Sequence, residues 1–388
     1  MEVVVVYDIG KTNKKLFLFD KNLNIVYQTI VTIPEIRDED DEICEDIITL
    51  TSWIKSSFEL IKENKYYTIV DVHCTAYGAS LVYIDERGTP LLPLYNYLKT
   101  YPKDILDIFE EKYGPFEDLC LETASPLLGS LNAGLQLYRI KKEKVELFKN
   151  IKWVLHLPQY IYFILKGEIA SDITSIGCHT MLWDFKKNDY HKWVYDERLN
   201  NLFPPIKSNV GIHDSSAALI PYLYNIKHPF ILISTGTWSI SLNPFNQLAL
   251  TTDELKNDTL FYISTSGRSI KASRIFLGNK YEIFLSDQNL SSNTDSELHK
   301  NIIDEIINEQ VKCTNLIMND LNINNIYVDG GFSNNIFFMK KLAACYPNKK
   351  IFAANVPQAS SIGAALSLCR KLNNEFGNNF KLETTLYS

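Results

Sequence analysis

Two stretches of this chain, far apart, repeat one pattern. "VVVVYDIGKTNKKLFLFD" (3–20) and "HPFILISTGTWSISLNPF" (228–245) each run from an apolar strand through a short turn carrying a glycine and a threonine into a second strand. Val, Ile, Phe and Leu suit half-buried strands, and a short glycine-bearing turn between two such runs reads as a β-hairpin. Two similar hairpins point to an internal duplication and hence to two lobes meeting across a cleft. At 388 residues the chain is long enough for two or three domains.

Between and after the hairpins, strands alternate with helices. An acidic helical segment (41–63), a strand "YTIVDVHC" (67–74) and amphipathic helices near 130–148 and 157–166 precede the second hairpin. "NNIYVDGGFSNNIFFMKKLAAC" (324–345) reads as a strand, Gly330-Gly331, and a helix that Ser333 would cap. The final helix, "QASSIGAALSLCRKL" (358–372), carries Ala and Gly where a neighbouring backbone could approach closely. Residues 281–300, rich in Ser, Asn and Asp, read as a polar loop or lid. This alternation indicates an α/β class, with a boundary between lobes near 224/225.

Composition narrows the partners. A net charge of −7 argues against a general nucleic-acid or membrane-surface binder, which would reward clustered Lys and Arg. Seven scattered cysteines without a CxxC pair, and Glu2 with no basic segment ahead of an apolar one, indicate a reduced, cytoplasmic protein without a signal peptide. "YIYFIL" (160–165) is far shorter than the roughly 20 apolar residues that span a bilayer.

The first turn contains "GKT" (10–12), yet Val5 stands where a P-loop needs its first glycine, so the Walker reading fails. A tight turn lined by N–H groups and hydroxyls can still cradle phosphate. Gly10, Thr12, Lys14 and Lys15 are candidates for phosphate oxygens, and Asp8 at the strand end could hold Mg²⁺ through water. The competing reading of the same residues is an ordinary exposed basic turn.

Taken together, these segments resemble the FGGY carbohydrate kinases of the actin, Hsp70 and sugar-kinase superfamily. "DIGKTNKKLFLFD" resembles the first phosphate motif and "ISTGTWSISL" the second. "VDGGFSNNIFFMKKLA" with "VPQASSIGAAL" resembles the adenosine motif, and "GIHDSSAAL" (211–219) the segment that supplies the catalytic base. "HCTAYGASLVYID" and "PLYNYLK" look most like the branch acting on L-fuculose and L-rhamnulose.

The resemblance implies an α/β fold of two ribonuclease-H-like, actin-like ATPase lobes with an interlobe cleft, the second lobe shortened after "ASRIFLGNK" (272–280). Residues 1–224 would bind sugar and carry the first phosphate motif, and residues 225–388 would bind ATP. It also implies roles: Asp214 as general base, Asp8 for Mg²⁺, Thr12, Gly236 and Thr237 on phosphates, and Gly330, Gly331 and Asn334 beside adenosine. A homodimer is a further expectation from the family.

The residues support these roles on chemical grounds, because phosphoryl transfer asks mainly for alignment and charge neutralisation. Asp214 also stands at the start of an apolar helix, where a capping or first-turn carboxylate is the alternative role. His73, Thr75 and Tyr77 close a strand and could meet sugar hydroxyls beside an aromatic face, the alternative for His73 being an interior histidine. Asp172 and Thr180 fall in "SDITSIGCHTMLWD" (171–184), which resembles another sugar-side segment. Tyr97 and Lys99 replace an Asp and an Arg that many members carry near the sugar. His73-Cys74 and Cys178-His179 have no zinc-ligand spacing, and a structural zinc is rejected. The expected activity is ATP-dependent phosphorylation of a ketose. The alternatives are a catalytically impaired sugar- or nucleotide-responsive binding protein, for which the shortened lobe argues, and a chaperone- or cytoskeleton-type ATPase.

Overall fold

A computed structural model describes residues 1–236, 238–287, 297–318, 323–369, 372 and 376–387. The chain forms two compact units. Unit 1 comprises Met1–Ile220, Ile263–Gly267 and Ala359–Phe380; unit 2 comprises Pro221–Tyr262, Arg268–Gln358 and Lys381–Ser388. The C-terminal helix Ala359–Cys369 thus joins the unit built from the N-terminal half.

Unit 1 is organised on a five-stranded sheet made of β1 (Glu2–Ile9), β2 (Lys14–Phe19), β3 (Ile25–Val31), β4 (Thr68–Ala76) and β5 (Ile212–His213), in the order β5-β4-β1-β2-β3. β1 and β2 pair antiparallel, as do β2 and β3, while β1, β4 and β5 run parallel. β1 is buried from Val3 to Ile9, which explains its unbroken apolar run in place of alternation. Burial of a Val or Ile of this kind is worth roughly 1.5–3 kcal/mol.

One face packs against the helices Ile47–Glu63 and Leu157–Lys166, in a core that includes Tyr7, Leu50, Ile54 and Ile161. Asp46 caps the first of these by accepting from Ile48 N and Thr49 N, so Ile43–Glu45 ahead of it is a short strand and not the helix expected from residue 41. Gly363 of the C-terminal helix lies so close to Ala217 that a Cβ would collide with the Ala217 carbonyl oxygen. Pro221, four residues on, has no N–H to bond that carbonyl within the helix Asp214–Asn225.

Unit 2 carries a seven-stranded sheet of β6 (Phe230–Thr235), β7 (Ser239–Asn243), β8 (Thr259–Ile263), β9 (Ser269–Ile275), β10 (Asn325–Gly330), β11 (Lys350–Ala354) and β12 (Thr384–Tyr387), ordered β8-β9-β7-β6-β10-β11-β12. The run β11-β10-β6-β7-β9 has the directions of β5-β4-β1-β2-β3: a hairpin, a third antiparallel strand, and two parallel strands on the other side. This is the duplication read from the two hairpins.

Two further expectations shift. Residues 281–287 and 297–300 belong to the helices Leu277–Asp287 and Glu297–Ile317, while 288–296 lie outside the described residues. Ile303, Ile306, Ile307 and Ile317 on the second helix enter the unit 2 core, an apolar spacing that the polar composition just upstream masks. The helix after the double glycine is capped by Asn335, which accepts from Phe338 N, because a 3-10 turn, Gly331–Asn334, intervenes and uses Ser333 Oγ to donate to Gly330 O. No helix among the described residues is long and apolar enough to cross a membrane.

Candidate active site

The parallel strands of unit 1 bring three polar residues to neighbouring strand ends. Asp8 of β1 is opposite Thr75 of β4, and Thr75 is opposite Ile212 of β5, two residues before Asp214. Carboxyl ends of parallel strands are where α/β folds gather ligand groups. Asp214 begins its helix; Oδ1 accepts from Ser215 N (2.6 Å) and stands 3.5 Å from His213 Nε2, and its side chain is 36% exposed.

Asp8 is buried, and Oδ2 accepts from both Ser360 Oγ (2.7 Å) and Ser361 Oγ (2.6 Å) of the C-terminal helix. Burial pushes its carboxyl above the usual range; the two hydroxyls and the Lys15 charge pull the other way, and the nearby Asp214 charge adds to the rise. Thr75 is fully buried, and its Oγ1 has no hydrogen-bond partner among the described residues. Such an orphaned hydroxyl beside two carboxylates suits a polar ligand. Hard carboxylate oxygens of this kind also fit Mg²⁺ held through water.

The turn after β1 divides its lysines. Gly10 N donates to Asn13 O (3.0 Å), closing the turn, and Thr12 is exposed at its tip. Lys15 is opposite Asp8 in the hairpin and acts on its charge. Lys14 points inward: its ammonium donates to Gly10 O (3.0 Å) and Lys11 O (2.7 Å) and pairs with Glu45 Oε2 (2.7 Å). With three donors committed, Lys14 holds the turn and is not placed to meet phosphate. Glu45 is buried and also accepts from Lys11 Nζ (3.1 Å) and Tyr77 OH (2.5 Å).

Of the sugar-side candidates, Tyr77 packs edge-on to Tyr97, and Tyr97 feels the charges of Lys11 and Asp214. Tyr97 thus lies within electrostatic reach of Asp214, with Tyr77 packed against it. His73 is fully buried, edge-on to Tyr162, two residues inward from Thr75, in the position of an interior histidine. Lys99 is buried between Asp38 (2.5 Å) and Asp40 (2.7 Å). Thr180 Oγ1 donates to Ile176 O.

Asp172 is the N-cap of the short helix Ile173–Ile176 and accepts from Thr174 N, Thr174 Oγ1 and Asn209 N; burial raises its carboxyl to about 6. Thr174 Oγ1 in turn accepts from His213 N (3.1 Å), so this cap positions the strand that delivers Asp214. Lys11, Glu45, Ser360 and Ser361 are neighbours of the site that sequence reasoning missed. For the serines, the run "QASSIGAAL" was the available signal.

In unit 2 the second hairpin turn is held by Gly236 N donating to Trp238 O (2.9 Å); Thr237 lies outside the described residues. Thr235 and Gly330 are opposite each other on parallel β6 and β10. Thr235 Oγ1 donates to Asp329 O and accepts from Phe332 N, tying the strand end to the double glycine. Gly330 has φ +84°, and a Cβ there would strike the Thr235 carbonyl oxygen, so only glycine fits. Gly331 is open on its Cα side. Asn334 lines a cavity of about 430 Å³ with Ser333, Asn355, Thr384 and Tyr387.

Comparison with known proteins sets this geometry in a family. The N-terminal domain of the FGGY family of carbohydrate kinases matches residues 3–211, and the carbohydrate kinase FGGY C-terminal domain matches 227–320. The chain belongs to the FGGY carbohydrate kinases. As an FGGY protein it is 26% identical over 267 residues to a rhamnulokinase of Halalkalibacterium halodurans, covering 62% of this chain and 56% of that relative's length. The fold matches a carbohydrate kinase from Novosphingobium aromaticivorans (TM-score 0.85, 18% identity, 99% of this chain and 94% of that one). It also matches a ligand-bound xylulose kinase from Lactobacillus acidophilus (TM-score 0.84, 14% identity, 100% and 94%). Both likenesses concern the two-lobed, actin-like fold.

Proposed function

We propose that this FGGY protein transfers the γ-phosphoryl group of ATP to a hydroxyl of a ketose such as L-rhamnulose, L-fuculose or a pentulose, with Asp214 as general base. The observation that carries this reading is the row of Asp8, Thr75 and Asp214 at the ends of three parallel strands. Asp214 keeps Oδ1 on Ser215 N, while no described residue donates a hydrogen bond to Oδ2, which takes the hydroxyl proton as the oxygen bonds to phosphorus. Tyr77 and Tyr97 offer aromatic faces to the carbon skeleton, and Thr75 Oγ1 offers a hydroxyl contact. Asp8 would hold Mg²⁺ through water; the ion, when bound, neutralises charge on the phosphoryl oxygens. Thr12, Lys15 and Gly236 would meet phosphates, and Gly330, Gly331 and Asn334 would border adenosine.

The test is ATP consumption with mass-spectrometric detection of phosphosugar across L-fuculose, L-rhamnulose, D-xylulose, L-ribulose, D-ribulose and glycerol, with Asp214→Asn alongside. A phosphorylated ketose from wild type, lost by at least ~100-fold in the variant while ATP still binds, is the expected result. Full turnover by Asp214→Asn would remove that residue from its role. ATP binding without any phosphorylated sugar would favour the non-catalytic binding protein.

A further inference from the structure

Cys178, His179 and His213 have no part in the transfer described above, yet they meet in the interior of unit 1. All three are buried, and their ligand-capable atoms lie within 4.8 Å of one another. The sequence pair Cys178-His179 lacks zinc-type spacing; the third member arrives from β5, on the far side of a long connection. The Cys178 Sγ to His213 Nε2 distance is 3.1 Å, and the two imidazole rings stand edge-to-face, their centroids 6.3 Å apart.

The ring orientations suit a cation. His179 Nδ1 is 3.0 Å from Leu131 O. A carbonyl only accepts, so Nδ1 carries the proton and Nε2 keeps its lone pair. A backbone carbonyl behind the far nitrogen is how metal-bound histidines are held. His213 Nε2 is also 3.5 Å from Asp214 Oδ1, which brings a carboxylate within reach as a fourth donor. Around tetrahedral zinc, with bonds of about 2.0–2.3 Å, neighbouring donor atoms lie roughly 3.3–3.8 Å apart. The 3.5 Å separation lies inside that range and the 3.1 Å one just below it, and the 4.8 Å limit on the cluster leaves about 1 Å for side-chain adjustment.

We propose that Cys178, His179 and His213 form a site for a zinc-type divalent cation, completed by the Asp214 carboxylate, and that occupying it shuts down phosphoryl transfer. Binding releases the thiol proton of Cys178 to solvent and leaves both imidazoles neutral. The thiolate and imidazole donors reject Mg²⁺, which requires oxygen ligands, so the site discriminates between the inhibitory ion and the working one. Binding stands apart from the kinase assignment; inhibition rests on Asp214 being the base.

The experiment uses the full chain, freed of metal with a chelator and kept without ATP, and titrates Co²⁺ and then Zn²⁺. One Co²⁺ per chain with a thiolate-to-metal absorption band and tetrahedral intensity, displaced by one Zn²⁺, is expected. Cys178→Ala should abolish the band and weaken Zn²⁺ binding by at least ~100-fold. Cys178→Ser serves as a second variant, and thermal unfolding confirms that both fold. In the sugar assay, Zn²⁺ should inhibit wild type, a chelator should reverse it, and Cys178→Ala should turn over normally without inhibition. Absence of the thiolate band, or undiminished Zn²⁺ binding by Cys178→Ala, overturns the site. Stoichiometric binding with unchanged turnover overturns the inhibition. If Asp214→Asn proves active, the base assignment falls while the spectrum still decides the metal site.

Discussion

Ser361→Ala tests whether the C-terminal helix sets the charge of Asp8. Ser361 is fully buried, and its Oγ is 2.6 Å from Asp8 Oδ2; Ser360 Oγ reaches the same oxygen at 2.7 Å. A hydrogen bond to a charged group is worth about 1.5–3 kcal/mol. With Ser360 still in place, the lower value applies. Loss of about 1.5 kcal/mol from the ionised form alone corresponds to about one pKa unit. The sign follows from what is removed: a donor to the carboxylate, so the carboxyl, already held above its ordinary value by burial, rises by about one unit more.

In the proposed role Asp8 holds its cation only when ionised, so on that reading the acid limb of kcat/KM should move about one pH unit upward. A carboxyl raised in the folded state costs stability once pH exceeds its unfolded value. The variant should therefore lose about 1.5 kcal/mol at neutral pH, or roughly 3–6 °C in Tm for a unit of this size, and less below about pH 4. The measurements are a pH–rate profile at saturating sugar and Tm against pH. An acid limb and a neutral-pH Tm both unchanged from wild type would refute the reasoning.

Gly330→Ala combines a backbone conformation costing about 1–3 kcal/mol with a collision against the Thr235 carbonyl, and should destabilise unit 2 by at least ~3 kcal/mol. Gly331→Ala, with open space at its Cα, should stay within about 0.5 kcal/mol; thermal unfolding of the pair that ranked them equal would count against this account. Asp172, raised to about 6 by burial, should lower stability progressively as pH rises from about 4 to 6, by ~3 kcal/mol in total, and change nothing above that window. Asp172→Asn should remove this component, so the wild-type minus variant Tm difference should vary between pH 4 and 6 and flatten beyond; a flat difference throughout would dismiss it.

Much of the architecture was legible in the sequence because its signals are local. The hairpins announce themselves by apolar runs around short glycine-bearing turns, and Asp214 by its place at the head of an apolar helix. Gly330 was legible as a strand-ending glycine, although the reason for it, the Thr235 backbone beside it, was not. The helix Glu297–Ile317 was hidden in part because its polar first turn adjoins a polar segment. Lys14 and Lys15 are indistinguishable in one dimension; the pleat of β2 decides which enters the interior and which stays beside Asp8.

The sequence by itself determined most of the element types, the duplicated hairpins and the candidate residues for phosphoryl transfer, since propensity, periodicity and turn chemistry act over a few residues. Only the tertiary structure decided that Ser360 and Ser361 hold Asp8, that Glu45 gathers Lys11, Lys14 and Tyr77, and that His213 joins Cys178 and His179. Those meetings depend on strand order and register, which long parallel crossovers leave unmarked in sequence and which burial of the whole sheet selects.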